Sequence, residues 1–299
     1  MTKGISLHIG LNAVDPGKYA GWAGPLNACE ADAGDMRLIA ESRGFDATTL
    51  LTSDATRDAV IGAIAAAADA LDAGDIFFMT MSSHGGQIPD RNGDEPDGLD
   101  ETWCLYDGEL IDDELSYGLA AFKAGVRVVV VSDSCHSGSV VKTAAMRALH
   151  GDLLNVQAAL SAHAASNDTI QFDVMDVYAG PVPRVMPQDV MSRVYLANKA
   201  FYDEIGSRKE LREAKNHVAA SVILLSGCQD NQLSMDGAFN GAFTGALKVV
   251  WNGGKYLGGY DKFIRDLRTS LNNPTQSPGI FRIGTDDAAF DAQQPFLVV

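Results

Sequence analysis

Short runs of apolar residues alternate with longer segments of helical periodicity along most of this chain. Residues 128–131 are four consecutive valines, a pattern typical of a strand buried on both faces of a parallel sheet. Further strands are predicted at residues 5–11, 47–51, 76–81, 102–106, 219–225 and 279–283. Helical spacing occurs at residues 26–42, 57–71, 112–122, 242–250 and 260–271. This alternation predicts an α/β fold, with a mostly parallel sheet covered by helices on both faces.

Residues 141–217 follow this pattern only weakly. The segment contains three prolines and a charged stretch near 189–215 that we interpret as helix. On either side of it, strands and helices alternate regularly, and no internal repeat is visible. We therefore expect one domain over residues 1–299, interrupted by a long segment between two strands.

Composition narrows the class of partner. The 299 residues carry a net charge of −16, which argues against nucleic acid or an anionic membrane as a partner. An acidic surface either attracts a basic ligand or simply keeps the protein in solution. No apolar run approaches the roughly 20 residues that a membrane helix needs.

The cysteines indicate the compartment. Cys29, Cys104, Cys135 and Cys228 are far apart and lack the spacing of a metal site. They are expected to be reduced thiols, and no signal peptide opens the sequence. We therefore expect a cytoplasmic protein.

Two predicted strands lead into reactive side chains. His84 follows the strand at 76–81, and Cys135 follows the four valines. Chemistry collects at the carboxyl ends of parallel strands, so neighbouring strands would bring His84 to the Cys135 thiol as its base. The backbone N–H groups of Gly85 and Cys135 are candidates to stabilise an oxyanion. The alternative is a structural cysteine and an unrelated surface histidine, but the matched placement favours catalysis.

The sequence around these residues resembles a known family. Ser-Ser-His84-Gly-Gly and Asp-Ser-Cys135-His-Ser-Gly, 51 residues apart, are similar to the paired motifs of caspase-type cysteine peptidases. The cysteine motif is the variant found in metacaspases and in the bacterial orthocaspases. Further segments that resemble the family are residues 26–33, 92–101, 111–115, 227–232 and 241–244.

The resemblance implies an architecture. It is a caspase-hemoglobinase-like three-layer sandwich, with a mostly parallel central sheet of about six strands and helices on both faces. Residues 1–140 would correspond to the large subunit, 141–217 to a linker or insertion, and 218–299 to the small subunit. Members of the metacaspase group are generally monomers, and we expect a monomer here.

The resemblance also implies protein or peptide substrates that are cut after Arg or Lys. The residues that match the family's substrate pocket are Cys29, Asp32, Ser82 and Asp133. Two carboxylates at the bottom of a cleft would pair with a guanidinium through charge-assisted hydrogen bonds. The simpler alternatives are that Asp32 lies on a helix surface and that Asp133 orients His84 or stabilises a turn.

No cofactor is expected for the chemistry itself, but the resemblance raises calcium as an activator. Asp97, Asp112 and Asp113 are the best positional matches for calcium ligands, with Asp94 and Asp100 as alternatives. Clustered carboxylates suit this ion, which takes six to eight oxygen ligands. The sequence departs from the family at Lys142, where a further aspartate is expected. A solvated acidic turn with helix-capping aspartates is the alternative interpretation.

Two questions stay open at this stage. Caspase-type enzymes often cut themselves after the cysteine strand, and residues 141–217 offer several basic residues for this, although the chain could also act uncut. They are Lys142, Arg147, Arg184, Arg193, Lys199, Arg208 and Lys209. The main alternative to a peptidase is a catalytically inactive caspase-like domain that serves as a binding module. A different cysteine hydrolase, such as an amidase, is a weaker alternative.

Overall fold

A computed structural model of the chain confirms the α/β class. It describes residues 2–91, 93, 98–134, 182–214, 216–228, 234–237, 239–273 and 276–299. A six-stranded sheet has the strand order β11-β9-β7-β3-β1-β2, and β11 is its one antiparallel member. The strands are β1 (Gly4–Gly10), β2 (Asp46–Leu51), β3 (Ile76–Ser82), β4 (Gly85–Pro89), β5 (Leu99–Leu105), β6 (Gly108–Ile111), β7 (Arg127–Asp133), β8 (Val182–Pro183), β9 (Ser221–Ser226), β10 (Met235–Asp236) and β11 (Gly279–Gly284).

Helices cover both faces of this sheet, as a three-layer sandwich requires. Within the described residues they are α1 (Cys29–Ser42), α2 (Arg57–Ala70), α3 (Asp112–Ala120), α4 (Gln188–Ala197), α5 (Lys199–Gly206), α6 (Lys209–Ala214), α7 (Ala242–Trp251), α8 (Tyr260–Leu271) and α9 (Ala288–Ala292). One core packs α2 and α3 against the sheet, and a second core packs α1, α7 and α8 against its other face. None of the described helices is long and apolar enough to cross a membrane.

The valine run shows why the sheet lies between two cores. Val128 and Val130 belong to one core, whereas Val129 and Val131 belong to the other. Successive side chains of a strand point to opposite faces, so a continuous apolar run supplies both layers. All seven residues of β7 are buried.

Two local expectations about helices differ from the structure. Asp112 is the first residue of α3 rather than its N-cap, because Glu114 Oε2 accepts the Ile111 N–H at 3.2 Å and caps the helix. The single charged helix near 189–215 is three helices. Asn198 ends the first of them by donating its side-chain amide to the Val194 carbonyl, which competes with the helical hydrogen bonds.

A small antiparallel sheet of order β4-β5-β6 was not expected in full. The strand predicted at 102–106 lies within β5, but β4 and β6 gave no strand pattern. β4 begins with Gly85 and Gly86, and glycine has a low strand propensity. This sheet matters for the site, because β4 starts immediately after His84.

The pairing register fixes which residues meet at the carboxyl edge of the large sheet. Ser82 of β3 pairs with Asp133 of β7, and Gly10 of β1 pairs with Ser82. In the sequence, His84 and Cys135 each follow two residues after one member of the Ser82–Asp133 pair. The edge is therefore the place where the predicted catalytic and pocket residues should be sought.

Candidate active site

A buried arginine lies at the centre of this edge. The Arg184 side chain has no exposed surface, and its guanidinium makes ion pairs with three carboxylates. Nη2 lies 2.7 Å from Asp32 and 2.8 Å from Asp236, and Nη1 lies 3.0 Å from Asp133. Burial alone would lower the pKa of Arg184, but Asp133, Cys29 and Asp32 raise it well above its usual value. The arginine is therefore a cation held in an acidic pocket.

Asp32 forms one wall of this pocket and is almost completely buried. Its Oδ2 accepts the Ser82 hydroxyl at 2.8 Å, and its Oδ1 accepts the Gly241 N–H at 3.0 Å and the Asn240 amide at 2.9 Å. Burial raises the pKa of Asp32, while Arg184 lowers it. The alternative of a surface helix residue is wrong, since only 1% of Asp32 is exposed.

Asp133 is held by the start of α7 and does not point at the histidine. Its Oδ2 accepts both the backbone N–H and the hydroxyl of Thr244, at 3.2 and 2.9 Å. Its Oδ1 accepts the Ser234 hydroxyl. The carboxylate therefore lies at the N-terminus of α7, where the helix carries partial positive charge.

Asp236 is the third carboxylate, and sequence reasoning missed it. Its Oδ2 accepts the Asn27 N–H at 2.8 Å, and its Oδ1 accepts the Ala28 N–H at 3.3 Å. It lies in β10, between the two C-terminal segments that resemble the family. That position was the only signal for it.

Glycine leaves the space that the guanidinium occupies. A Cβ atom on Gly241 would lie 2.5 Å from Arg184 Nη1 and 2.6 Å from Asp133 Oδ2. Real Cβ atoms do not approach other atoms so closely, so alanine here would displace either the cation or its partner.

The backbone around Arg184 is bound as well as its side chain. The Arg184 N–H donates to the Ser234 carbonyl at 2.9 Å, and the Arg184 carbonyl accepts the Gly85 N–H at 3.0 Å. The Met186 N–H then donates to the Gly85 carbonyl at 2.9 Å. The residues before Arg184 thus pair with β10, the residues after it lie beside Gly85 at the start of β4, and Gly85, the predicted oxyanion donor, contacts the Arg184 carbonyl.

His84 lies beside residues 184–186, and its hydrogen bond shows which of its two ring nitrogens carries the hydrogen. Its Nε2 lies 3.2 Å from the Gly24 carbonyl, which can only accept, so Nε2 carries the hydrogen and Nδ1 the lone pair. Nδ1 has no hydrogen bond of ordinary geometry among the described residues. The ring packs against Trp22, with centroids 4.8 Å apart.

The pKa of His84 is lowered to about 4, mainly by burial, and the Arg184 charge acts in the same direction. The carbonyl of Gly24, the Asp236 charge and the backbone of Val185 act in the opposite direction. Neutral at pH 7, His84 can accept a proton through Nδ1.

Cys29 is not a suitable nucleophile. It is fully buried, and burial raises the pKa of its thiol to about 12. Its backbone N–H donates to the Asn12 side chain at 3.0 Å, which holds the start of α1 against β1. Cys29 is therefore an uncharged lining residue below the acidic pocket.

Two groups of predicted residues fall partly outside the described ranges. Cys135 lies there, one residue beyond Ser134, and so does Asp97 of the calcium set. Asp112 and Asp113 are the first residues of α3, and the Asp113 N–H donates to Asp112 Oδ1. Across the described part of the chain, no group of three or more His, Cys, Asp or Glu is arranged to hold a metal ion. Calcium binding stays a prediction.

Comparison with known proteins identifies the family. A family model described as Caspase domain matches residues 11–289. Metacaspase-1 of Cryptococcus neoformans is 28% identical over an alignment of 265 residues that covers 82% of this chain and 54% of that protein. Metacaspase-1A of Aspergillus fumigatus is 29% identical over an alignment of 287 residues that covers 91% of this chain and 62% of that protein.

A solved structure agrees over the whole length. The crystal structure of a protein from Geobacter sulfurreducens has a TM-score of 0.80 and 50% sequence identity, and the match covers 99% of each chain. The present chain spans between about half and two thirds of the length of the two fungal metacaspases. The family model covers most of the sequence and the sheet has the expected architecture, so the chain belongs to the caspase domain family of cysteine peptidases.

Proposed function

We propose that this chain is a cysteine endopeptidase that hydrolyses peptide bonds after arginine and, more slowly, after lysine. The observation that supports the specificity is the Arg184 guanidinium, fully buried among Asp32, Asp133 and Asp236. Two different guanidinium nitrogens reach different carboxylates, and a single ammonium would match this arrangement less well. Aspartate in such a pocket would be repelled.

In the proposed mechanism, Cys135 is the nucleophile and His84 the base. His84 Nδ1 takes the thiol proton, and the sulfur attacks the carbonyl carbon of the arginine residue. The oxygen of the tetrahedral intermediate faces the Gly85 N–H, which lies 3.0 Å from the Arg184 carbonyl oxygen. His84 then gives its proton to the leaving amine, and water hydrolyses the thioester to complete the reaction.

Calcium is proposed only as a separate activator, and no step of this mechanism uses it. Activity measured in EDTA and in millimolar calcium tests the activator directly. Equal rates under both conditions would remove calcium from the proposal and leave the hydrolytic mechanism intact.

The specificity test uses matched peptide reporters that differ at one position: arginine, lysine, citrulline or aspartate before the cleaved bond. Citrulline keeps the shape of arginine without its charge. We expect cleavage in the order arginine, lysine, citrulline, with none after aspartate, and no cleavage by Cys135→Ala. Equal cleavage by Cys135→Ala would contradict the mechanism, and equal cleavage of arginine and citrulline would contradict the pocket.

A further inference from the structure

We infer that the chain's own Arg184–Val185 bond is a substrate of this site, and that the enzyme cuts itself there. This inference rests on the proposed function. The sequence left seven basic residues as candidates for self-cleavage, and the structure distinguishes among those that it describes.

Arg184 is bound through its side chain, its N–H and its carbonyl, as a peptide substrate would be at its cleaved residue. Its guanidinium fills the acidic pocket, its N–H donates to Ser234, and its carbonyl accepts the Gly85 N–H. The following residue, Val185, forms a parallel bridge with Gly85, the residue next to His84. The side chain thus fills the pocket, the carbonyl faces the predicted oxyanion donor, and the bond to Val185 lies beside the start of β4, which follows His84 directly.

A buried arginine with a purely structural role is bound differently. Arg57 is also buried, and its guanidinium pairs with Glu114 at 2.7 Å and donates to the Glu109 carbonyl. Its backbone, however, begins α2, and its N–H donates to the Asp107 side chain. A helical backbone cannot present its carbonyl to an oxyanion donor, whereas the extended backbone at Arg184 does.

The other described candidates lie at or next to the helices α4 to α6. Arg193, Lys199, Arg208 and Lys209 each pair with an acidic side chain four residues away along the chain. Their side chains point to solvent and are at least 46% exposed. Cutting beside Arg193 or Lys199 would first require local unfolding of a helix, whereas the Arg184 carbonyl already accepts the Gly85 N–H.

The reaction is the proposed hydrolysis carried out within one chain. The Cys135 sulfur bonds to the Arg184 carbonyl carbon, and the bond to the Val185 nitrogen breaks. The thiol proton passes through His84 to that nitrogen. One water molecule then releases Arg184 as a carboxylate and restores the thiol, which leaves fragments 1–184 and 185–299.

This arrangement has a consequence for activity. While Arg184 occupies the pocket, an external arginine side chain cannot enter, since the three carboxylates already bind one guanidinium. Cleavage frees the Arg184 end to leave the pocket. Activity on external peptides should therefore begin with a lag that follows the appearance of fragment 185–299.

The test measures the intact mass of purified chain over time. We expect wild type to form fragments 1–184 and 185–299 at a first-order rate that is unchanged by tenfold dilution, and Cys135→Ala to remain whole. Arg184→Lys should slow the cut at this bond, and Arg184→Gln should abolish it. Arg193→Gln, which removes an exposed candidate on α4, should be cut at the wild-type rate.

Several outcomes would overturn the inference. One is wild type that stays whole at this bond while it cleaves an external arginine peptide, a result that leaves the proposed function standing. Others are a cut at this bond in Arg184→Gln at the wild-type rate, or a rate that falls with dilution. If wild type cuts neither itself nor the peptide, both proposals fail. The wild-type measurement does not depend on the folding of any Arg184 variant.

Discussion

Two buried histidines of this protein have similar protonation behaviour and very different surroundings. Burial lowers the pKa of His8 to about 3 and that of His84 to about 4. His8 lies inside β1, and its two ring nitrogens contact the hydroxyls of Thr80 at 2.9 Å and Ser6 at 3.0 Å. His84 lies just beyond the end of β3, and among the described residues it forms a hydrogen bond only through Nε2, to the Gly24 carbonyl.

The difference indicates which property would distinguish His84 as the proposed catalytic base. Burial and a lowered pKa are common to both residues, so neither distinguishes them. What differs is that His8 is satisfied on both sides inside the sheet, while His84 keeps a lone pair at the sheet's edge beside the Gly85 N–H. An imidazole with an available nitrogen can transfer a proton, and one bonded on both sides serves the fold.

The largest expected effect comes from replacing each of the two histidines by alanine. His84→Ala should lower kcat/KM for an arginine peptide by about 10²- to 10⁴-fold, because the base is lost. His8→Ala should leave the kcat/KM of folded protein unchanged but lower the free energy of unfolding by about 1–3 kcal/mol, because two buried hydroxyls lose a partner. Peptide kinetics and urea unfolding check both variants.

The opposite result would break the comparison. If His8→Ala lost activity without losing stability, or if His84→Ala retained wild-type kcat/KM, the available nitrogen would not identify the base.

A second prediction concerns the acidic pocket around Arg184, whose buried groups are charged, unlike the hydroxyls around His8. Asp236→Asn removes one of three carboxylates around the guanidinium and should lower kcat/KM for arginine peptides by about 10²-fold, within the range for breaking a buried charged pair. Cleavage after citrulline should change much less, since that side chain carries no charge. The ratio of the two rates is the measurement.

The matched control for the pocket is Asp189→Asn on α4, whose carboxylate makes an exposed ion pair with Arg193. Exposed pairs contribute little, so this variant should behave as wild type. A ratio for Asp236→Asn that equals the wild-type ratio would mean that Asp236 does not recognise the charge.

A third prediction uses the lowered pKa of His8. In the unfolded chain a histidine takes up a proton below about pH 6.5, but folded His8 stays neutral down to about pH 3. Stability is therefore lost as the pH falls through this window. Between pH 7 and pH 5 the loss is about 2 kcal/mol for one such histidine. In a Cys135→Ala background, His8→Ala should flatten the pH dependence by that amount, as urea unfolding at the two pH values would show.

The smallest expected effect is a shift in the pH profile. With saturating arginine peptide, the base stays neutral until the pH approaches about 4, the pKa of His84. The acid limb of kcat should therefore lie well below pH 6.5, with little change between pH 6 and 7. A limb centred at 6.5 would indicate that His84 is solvated during turnover.

The sequence predicted the sheet better than it predicted the pocket. Apolar runs such as the four valines report burial directly, and they gave the strand positions and the parallel class. Asp32 and Asp133 were found because motifs around them resemble a family. Asp236 was missed because an isolated carboxylate between two motifs carries no pattern, and its role depends on β10 folding back beside Asn27.

Arg184 was the residue that no pattern could select. It was one of several basic residues in a weakly patterned segment, and only its three-dimensional position separates it from the others. Long-range ion pairs leave no periodicity in a sequence, so contacts that span 152 and 51 residues, from Arg184 to Asp32 and to the Asp133 carbonyl, required the structure.

Cleavage at Arg184 would make the pairing of β7 with β9 a contact between two separate polypeptides. Its register runs from Arg127 opposite Ser221 to Ser132 opposite Ser226, so the two strands belong to different products of cleavage at Arg184. The mature molecule would be a complex of two polypeptides held together without a covalent link. Its unfolding would release two particles instead of one, and its stability would rise with protein concentration by mass action. Dilution, which leaves the intact chain unaffected, would then limit the lifetime of the active form.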